Sequence, residues 1–138
     1  MSDDERLMKA VKIAQAACDR KAEDLVALDA RGVASFADTF ILATGSSDRH
    51  VRSITDAIEQ AISALGEKPL GIEGYKEARW VLMDLSDVIV HVFQPEVRAY
   101  YDLERLWSEA PALDLLGRPA PDEITGRALI ADPSPDYS

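Results

Sequence analysis

One stretch of this sequence, residues 72–93 (IEGYKEARWVLMDLSDVIVHVF), carries polar and aromatic side chains able to do chemistry or bind a partner, among them Glu73, Trp80, Asp84, Asp87 and His91. Carboxylates and imidazoles can transfer protons, and a tryptophan supplies a large contact area for a partner. No activated nucleophile, metal cluster or phosphate loop accompanies them in this stretch. The pattern therefore predicts a surface that recognises a partner.

The same stretch predicts two apolar strands joined by a tight turn. If Leu85-Ser86 form a two-residue turn, three facing pairs share one side of the sheet because strand side chains alternate. Those pairs are Asp84 with Asp87, Leu82 with Ile89, and Trp80 with His91. Facing carboxylates repel each other, so we expect the aspartates either to cap turn backbone or to meet a cation.

Trp80 and His91 have two interpretations, a core pair or the centre of a binding patch. Tryptophan is enriched among the residues that dominate interface energies. Glu73, Lys76 and Arg79 lie nearby in the sequence and would add charge around the ring. We therefore favour the patch.

A glycine and a serine, Gly45-Ser46, stand at a strand-to-helix turn, as in the loop of nucleotidyltransferases, whose acidic residues then hold metal ions. The second half of that arrangement, an Asp-x-Asp pair on an adjacent strand, is missing from the sequence. Ser46 and Ser47 more simply cap the helix that follows. A nucleotidyltransferase-like enzyme is therefore only the alternative to a binding function.

Hydrolase and zinc chemistry find little support in the residue types. His50 and His91 are the two histidines, and we expect His50 to be a solvated residue in the first turn of a helix. Cys18, the single cysteine, is expected to be a small buried residue on an apolar helix stripe. No zinc-ligand spacing exists, and we expect no metal and no cofactor.

Size and charge narrow the class of protein. The chain of 138 residues suits one domain, and its formal net charge of −10 disfavours nucleic acid as a direct partner. A basic protein partner suits this charge, although acidity also serves solubility. One cysteine, an acidic start (MSDDERL) and the lack of a long apolar run predict a soluble, cytoplasmic protein without a membrane span.

Apolar periodicity predicts the elements in the order α, β, β, α, β, β, β, α. The first helix covers residues 3–19, with Leu7, Val11, Ala14 and Cys18 on its apolar stripe, and the second follows Ser47 and ends near Gly66. Strands are predicted at residues 24–29, 39–43, 68–73, 80–85 and 88–93, and a last helical segment at 96–107. The fold class is α/β, a single domain with a five-stranded mixed sheet flanked by helices and largely buried on both faces.

The composition changes after residue 107. Five of the seven prolines lie between Pro111 and Pro135, together with aspartate, glycine and serine. We interpret residues 1–110 as the domain and residues 111–138 as a tail of low structure.

Four stretches together resemble the Iojap-like, or ribosomal silencing factor, family. They are KAEDLVALDARGVASFADTFILATGSSDRHVRSI at residues 21–54, EG at 73–74, WVLMDLSDVIVHVF at 80–93 and RAYYDLERLW at 98–107. The resemblance covers about the first 110 residues. It implies a nucleotidyltransferase-like fold without that chemistry.

The resemblance also implies a function. Family members bind the large ribosomal subunit through ribosomal protein L-fourteen and block joining of the small subunit, which lowers translation when nutrients are scarce. By position, the implied partner-binding residues are Glu73, Lys76, Trp80, Asp84, His91 and Tyr101. The Trp80 patch could also pair two copies of the free protein as a homodimer.

One position departs from the family pattern. Ser86 stands in the hairpin turn where glycine is usual, and Leu85 where an aromatic residue is common. A turn that needs a positive φ tolerates serine less well than glycine, so the turn type is the open point of the hairpin.

Overall fold

The computed structural model describes residues 3–31, 37–100 and 113, with the side chains of 3–6 and 98–100 excepted. The elements follow the predicted order: α1 (Asp3–Asp19), β1 (Glu23–Asp29), β2 (Thr39–Thr44), α2 (Asp48–Ala64), β3 (Gly71–Glu73), β4 (Trp80–Asp84), β5 (Val88–Phe93) and α3 (Pro95–Tyr100). The predicted boundary of the tail at residue 110 lies outside the described residues and stays a prediction. Within the described residues, no helix is long and apolar enough to cross a bilayer.

The five strands form one mixed sheet in the order β1-β2-β5-β4-β3. Among the described strands, the central β2–β5 pair alone is parallel, and α2 lies between these strands in the chain. The other three pairs are antiparallel. The predicted fold class, a five-stranded mixed sheet with helices, is confirmed.

Both faces of the central sheet are buried, as the lack of polar alternation predicted. Helices α1 and α2 pack on one face, against a cluster that includes Ile41, Met83 and Val90. The opposite face buries Leu42, Phe93 and their neighbours, with Val97 of α3 packed on them. We call the first the helix face, and the second, which is partly exposed at β3 and β4, the open face.

Helix α2 follows its sequence signals closely. Ser47 is the N-cap, and its hydroxyl oxygen accepts a hydrogen bond from the backbone N–H of His50. After the C-cap Leu65, Gly66 takes a φ of +81°, which glycine adopts at little cost. Isoleucine and valine side chains along one stripe bury α2 against the sheet.

The predicted apolar stripe of α1 is confirmed at Ala14 and is wrong at Leu7 and Cys18. Leu7 and Cys18 are exposed, whereas Ala10, Ile13, Ala14 and Ala17 are fully buried. Ile13 and three alanines of α1 therefore face the core, and Leu7 lies outside that stripe.

Strand β3 is shorter than predicted, beginning at Gly71 rather than residue 68. Pro69 has no backbone N–H to donate to a neighbouring strand, and Leu70 donates its N–H to the Asp84 carbonyl oxygen at 2.8 Å. The predicted helical segment 96–107 begins at Pro95, and residues 101–107 lie outside the described part.

The β4–β5 hairpin corrects the predicted turn. Asp84 pairs with Ile89, Leu82 with His91 and Trp80 with Phe93, so each β4 residue faces a partner two positions later than expected. The turn residues are Ser86 and Asp87, closed by a 2.9 Å bond from Leu85 N–H to the Val88 carbonyl oxygen. Because the shift is two residues, the strand side chains keep the predicted face.

Ser86 carries the positive φ, +80°, that the turn needs. Glycine is the residue that adopts this conformation without a steric cost, which explains why serine stands out here. The N–H of Ser86 bonds the Asp84 carboxylate at 3.1 Å, and this contact helps to hold the turn.

Lys9 explains where the turn falls. Its side chain is buried, and its ammonium donates to the Asp87 and Glu67 carboxylates, both at 2.8 Å, and to the Leu85 carbonyl oxygen at 2.5 Å. A buried ammonium must be paired, so α1, the segment after α2 and the hairpin turn meet at this point. Asp87 thus meets a cation instead of facing Asp84.

We expect Lys9→Ala to lower the free energy of unfolding by about 3 kcal/mol, because it leaves the largely buried Asp87 carboxylate without its cation. Urea denaturation measures the difference. Lys12→Ala, on the exposed side of α1, is the matched control and should change stability by less than about 0.5 kcal/mol. Equal losses in both variants would contradict the role of the buried ion pair.

Gly74 follows β3 and lies in close contact with the backbone of Trp80, the first residue of β4. Its φ is +83°, and a Cβ atom there would lie 2.2 Å from the Trp80 carbonyl oxygen. Its own carbonyl oxygen accepts the Ala78 N–H at 2.9 Å. The glycine of the Glu73-Gly74 pair therefore has a structural role at the start of β4.

Gly74→Ala should destabilise the fold by more than about 2 kcal/mol, since strain at a positive φ is added to a steric clash with backbone. Gly66→Ala isolates the first effect, because Gly66 has φ +81° but no atom within 4 Å of the added Cβ. We expect about 1 kcal/mol for that control in the same urea titration. If the two variants lose the same stability, the close approach to Trp80 carries no cost.

Candidate functional site

Strand pairing collects most of the predicted residues on the open face. Glu73 pairs with Leu82, and Leu82 pairs with His91, so these three side chains point the same way. Trp80 and Asp84 flank Leu82 at two-residue spacing on β4 and share its side. We call this set, Glu73, Trp80, Leu82, Asp84 and His91, the Trp80 surface.

Trp80 and His91 are in direct contact across the two strands. The indole Nε1–H donates to His91 Nδ1 at 3.1 Å, and the ring centroids are 5.9 Å apart. A neutral His91 that accepts at Nδ1 carries its proton on Nε2. Both rings are half-buried, so Trp80 is neither sealed in the core nor free to rotate.

Two phenylalanine rings lie beside the ring of His91. Phe40 meets His91 edge-on with a centroid distance of 6.2 Å, and the ring of Phe93 lies 6.5 Å away. Burial among these rings lowers the pKa of His91 to about 4, because the charged form loses its hydration. The imidazole is therefore neutral at physiological pH.

The acidic members of the surface differ in their environment. Glu73 is exposed, whereas Asp84 is half-buried and accepts the Ser86 N–H at 3.1 Å. Both expectations for the aspartates are met, since Asp84 caps the turn and Asp87 binds Lys9. With a neutral histidine, the Trp80 surface presents an aromatic centre beside carboxylates.

Lys76 lies apart from this face. Its carbonyl oxygen accepts a 2.5 Å bond from Arg52 of α2, and the neighbouring Tyr75 donates its hydroxyl to Asp56 at 2.9 Å. The loop between β3 and β4 is thus held against α2, with the Lys76 side chain exposed. Tyr101, the remaining predicted residue, lies outside the described residues.

The space beside Gly45 in the Gly45-Ser46 loop is filled by residues of the chain itself. A Cβ on Gly45 would lie 2.8 Å from Val51 Cγ2, so the first turn of α2 packs directly on the glycine. The expectation of a solvated His50 is wrong, because the ring is half-buried with Nδ1 bonded to the Ser46 N–H and Nε2 to the Arg20 carbonyl oxygen. In residues 3–31, 37–100 and 113, no three histidine, cysteine or acidic side chains group as a metal site.

Sequence reasoning missed the residues that position the surface. Leu82 lies between Glu73 and His91, and Phe40 and Phe93 hold the histidine ring. The period-two pattern of β5 offered one signal, since Phe93 shares a face with His91. Phe40 enters from a separate strand, and nothing local in the sequence marks it.

The pH dependence of stability tests the burial of His91. A pKa near 4 in the folded state and about 6.5 in the unfolded state means that the unfolded chain binds more protons between these values. The free energy of unfolding should therefore fall as the pH drops from 6.5 to 4, by up to about 3 kcal/mol from this residue. Carboxylates titrate in the same window, so the quantity to measure is the difference from His91→Phe.

Urea titrations at several pH values give that difference, and proton NMR of the histidine ring gives the pKa directly, with His50→Gln used for assignment. A His91 pKa near 6.5, or the same pH slope in His91→Phe, would show that the ring is solvated.

The sequence and the fold were compared with those of known proteins. The family model described as "Ribosomal silencing factor during starvation" (RsfS) matches residues 3–130. The ribosomal silencing factor RsfS of Bacillus subtilis is 48% identical over 106 residues, which cover 76% of this chain and 90% of that protein.

Two crystal structures share the fold and a substantial part of the sequence. A Chromobacterium violaceum protein superposes with a TM-score of 0.71 at 36% identity, covering 78% of this chain and 87% of its own. A Bacillus halodurans protein gives a TM-score of 0.67 at 40% identity, covering 80% and 98%. With the family model spanning nearly the whole sequence, the chain belongs to the ribosomal silencing factor family.

Proposed function

We propose that this protein binds the large ribosomal subunit through ribosomal protein L-fourteen and sterically blocks joining of the small subunit. Translation would fall as a result, under the starvation conditions that the family description names. The related protein of Bacillus subtilis carries the name of a silencing factor and not of an enzyme. The proposed place of action is the cytoplasm, where subunits join.

The observation that carries the proposal is the fixed, half-buried indole of Trp80 on the open face. A tryptophan already held by His91 loses little side-chain entropy on binding, and its apolar area is large. Residues of this type near the centre of an interface account for most of its binding energy. Trp80 is therefore the proposed anchor.

The charges around the anchor favour a basic partner. Glu73 and Asp84 contribute carboxylates, and His91 stays neutral and adds no opposing charge. The whole chain has a formal net charge of −10, which speeds encounter with a positively charged surface. In the proposal, Glu73 and Asp84 meet basic groups of the ribosomal protein.

Lys76 and Tyr101 have outer roles in the proposal. The exposed Lys76 would meet an acidic group or the rRNA backbone at the edge of the contact, and Tyr101 would extend it. The mechanism needs no turnover, because a bound factor excludes the small subunit by its volume and the effect follows mass action.

The free protein has a second use for the same surface. Two copies can bury their Trp80 surfaces against each other as a homodimer, since exposed aromatic area favours association. Such a dimer would compete with binding to the subunit. The packing of Val51 on Gly45 gives the alternative, a nucleotidyltransferase-like enzyme, no support.

Trp80→Ala and Glu73→Arg should each weaken co-sedimentation with purified large subunits at least tenfold, about 1.4 kcal/mol or more, by loss of the anchor or reversal of a contact charge. Sucrose gradients with both subunits should show fewer assembled ribosomes with the wild-type protein than with either variant.

Glu23→Arg makes the same charge change at the first residue of β1, on the far edge of the sheet, and should bind as wild type. Circular dichroism checks that each variant is folded. Wild-type binding by folded Trp80→Ala and Glu73→Arg would show that the Trp80 surface is not the contact.

A further inference from the structure

The sheet ends in an open edge at β3. This strand is last in the order and, among the described residues, pairs only with β4. At the other edge, the Leu113 N–H bonds the Ala27 carbonyl oxygen of β1 at 2.8 Å. A strand paired on one side leaves backbone N–H and C=O groups that another chain can use.

A cleft of about 720 Å³ runs beside this edge, between α2 and the segment that enters β3. Its α2 wall carries Asp56 and Glu59, three residues apart on one helix side, and Glu67 lies on the other wall. Glu67 is already paired with Lys9, and Lys68 is the one basic residue among the described lining residues, so the two carboxylates on α2 exceed the remaining positive charge. The cleft is negatively charged.

The cleft and the edge strand share two residues, Gly71 and Ile72. Ile72 packs toward the helix-face cluster, which places its side chain on the cleft side of the sheet. Gly71 has no side chain, and an ideal Cβ there would meet nothing within 4 Å, so the backbone at the start of β3 is accessible. An accessible strand backbone and an acidic cleft wall therefore lie side by side at this edge of the sheet.

We propose that the open edge of β3 accepts an extended, lysine- or arginine-rich segment of a partner protein as a sixth strand. Side chains of an added strand alternate between the two faces. The residue opposite Ile72 points into the cleft, where a basic side chain meets Asp56 and Glu59. The residue opposite Glu73 points to the open face, so a segment with a basic residue at every second position directs its basic side chains into the cleft.

The negative charge of the cleft favours a basic peptide over a nucleic acid, a second copy of this chain or the chain's own C-terminal residues. A nucleic acid strand or a second copy of this chain would bring further negative charge to the cleft. The chain's own residues 111–138 contain five acidic and two basic residues, so they do not suit it either. A basic extended peptide complements both the backbone edge and the wall.

This edge is distinct from the Trp80 anchor, and the inference does not rest on the proposed ribosomal function. The cleft lies on the helix side of β3, whereas the Trp80 ring lies on the open face of β4. Trp80→Ala should therefore leave binding at the β3 edge unchanged, so each proposal can fail alone.

The test uses the full chain, labelled with ¹⁵N, and the blocked peptide (Lys-Thr)5 as the probe. We expect saturable binding with the largest amide shifts at residues 71–73 and on the Asp56–Glu59 side of α2. The same peptide with N-methylated threonines, which lacks half of its backbone donors, should bind at least fivefold more weakly. The peptide (Glu-Thr)5 should not bind.

Glu59→Lys should weaken (Lys-Thr)5 roughly fivefold, in the range of exposed charge pairs, and Glu59→Gln should fall between it and wild type. Glu23→Lys makes the same charge change outside the cleft and should stay within about twofold of wild type. Equal weakening by Glu23→Lys, or equal affinity of the N-methylated peptide, would overturn the proposal in favour of diffuse charge attraction. Concentration-dependent shifts of residues 71–73 without peptide would overturn it in favour of pairing between copies.

Discussion

The buried ammonium of Lys9 is the interaction on which the arrangement of the open face depends. It needs anionic or carbonyl partners, and it takes them from Glu67, Leu85 and Asp87, 58 to 78 positions away in the chain. These bonds place Ser86-Asp87 in the turn. They thereby set which residues of β5 lie across from β4, and so bring the ring of His91 beside Trp80.

The Trp80 surface is held in place by neighbouring residues that are not part of it. Gly74 lets the chain pass close to the Trp80 carbonyl oxygen, and Phe40 and Phe93 enclose His91. The resulting loss of hydration keeps the imidazole neutral, so it holds the indole through one directed hydrogen bond. Rigidity and acidity, rather than reactive groups, characterise this surface.

The sequence predicted the features that depend on interactions between residues close together in the chain. The cap at Ser47, the apolar stripe of α2 and the apolar strands are where the sequence predicts them. Trp80, Asp84 and His91 also share one face as predicted, because a shift of the strand pairing by two residues leaves each side chain on the same face of the sheet. The turn position and the environment of His50 depended on distant partners, Lys9 and Arg20. A single sequence does not display such long-range pairs.

The parallel pairing of β2 with β5 has a consequence for synthesis of the chain. Strand β5 lies between β2 and β4 in the sheet although it follows both of them in the chain. While translation proceeds, β4 has no neighbour through which to join β1 and β2, and Trp80 lacks the ring that orients it. A nascent copy therefore lacks a complete Trp80 surface until Phe93 has emerged, so this surface forms late in synthesis.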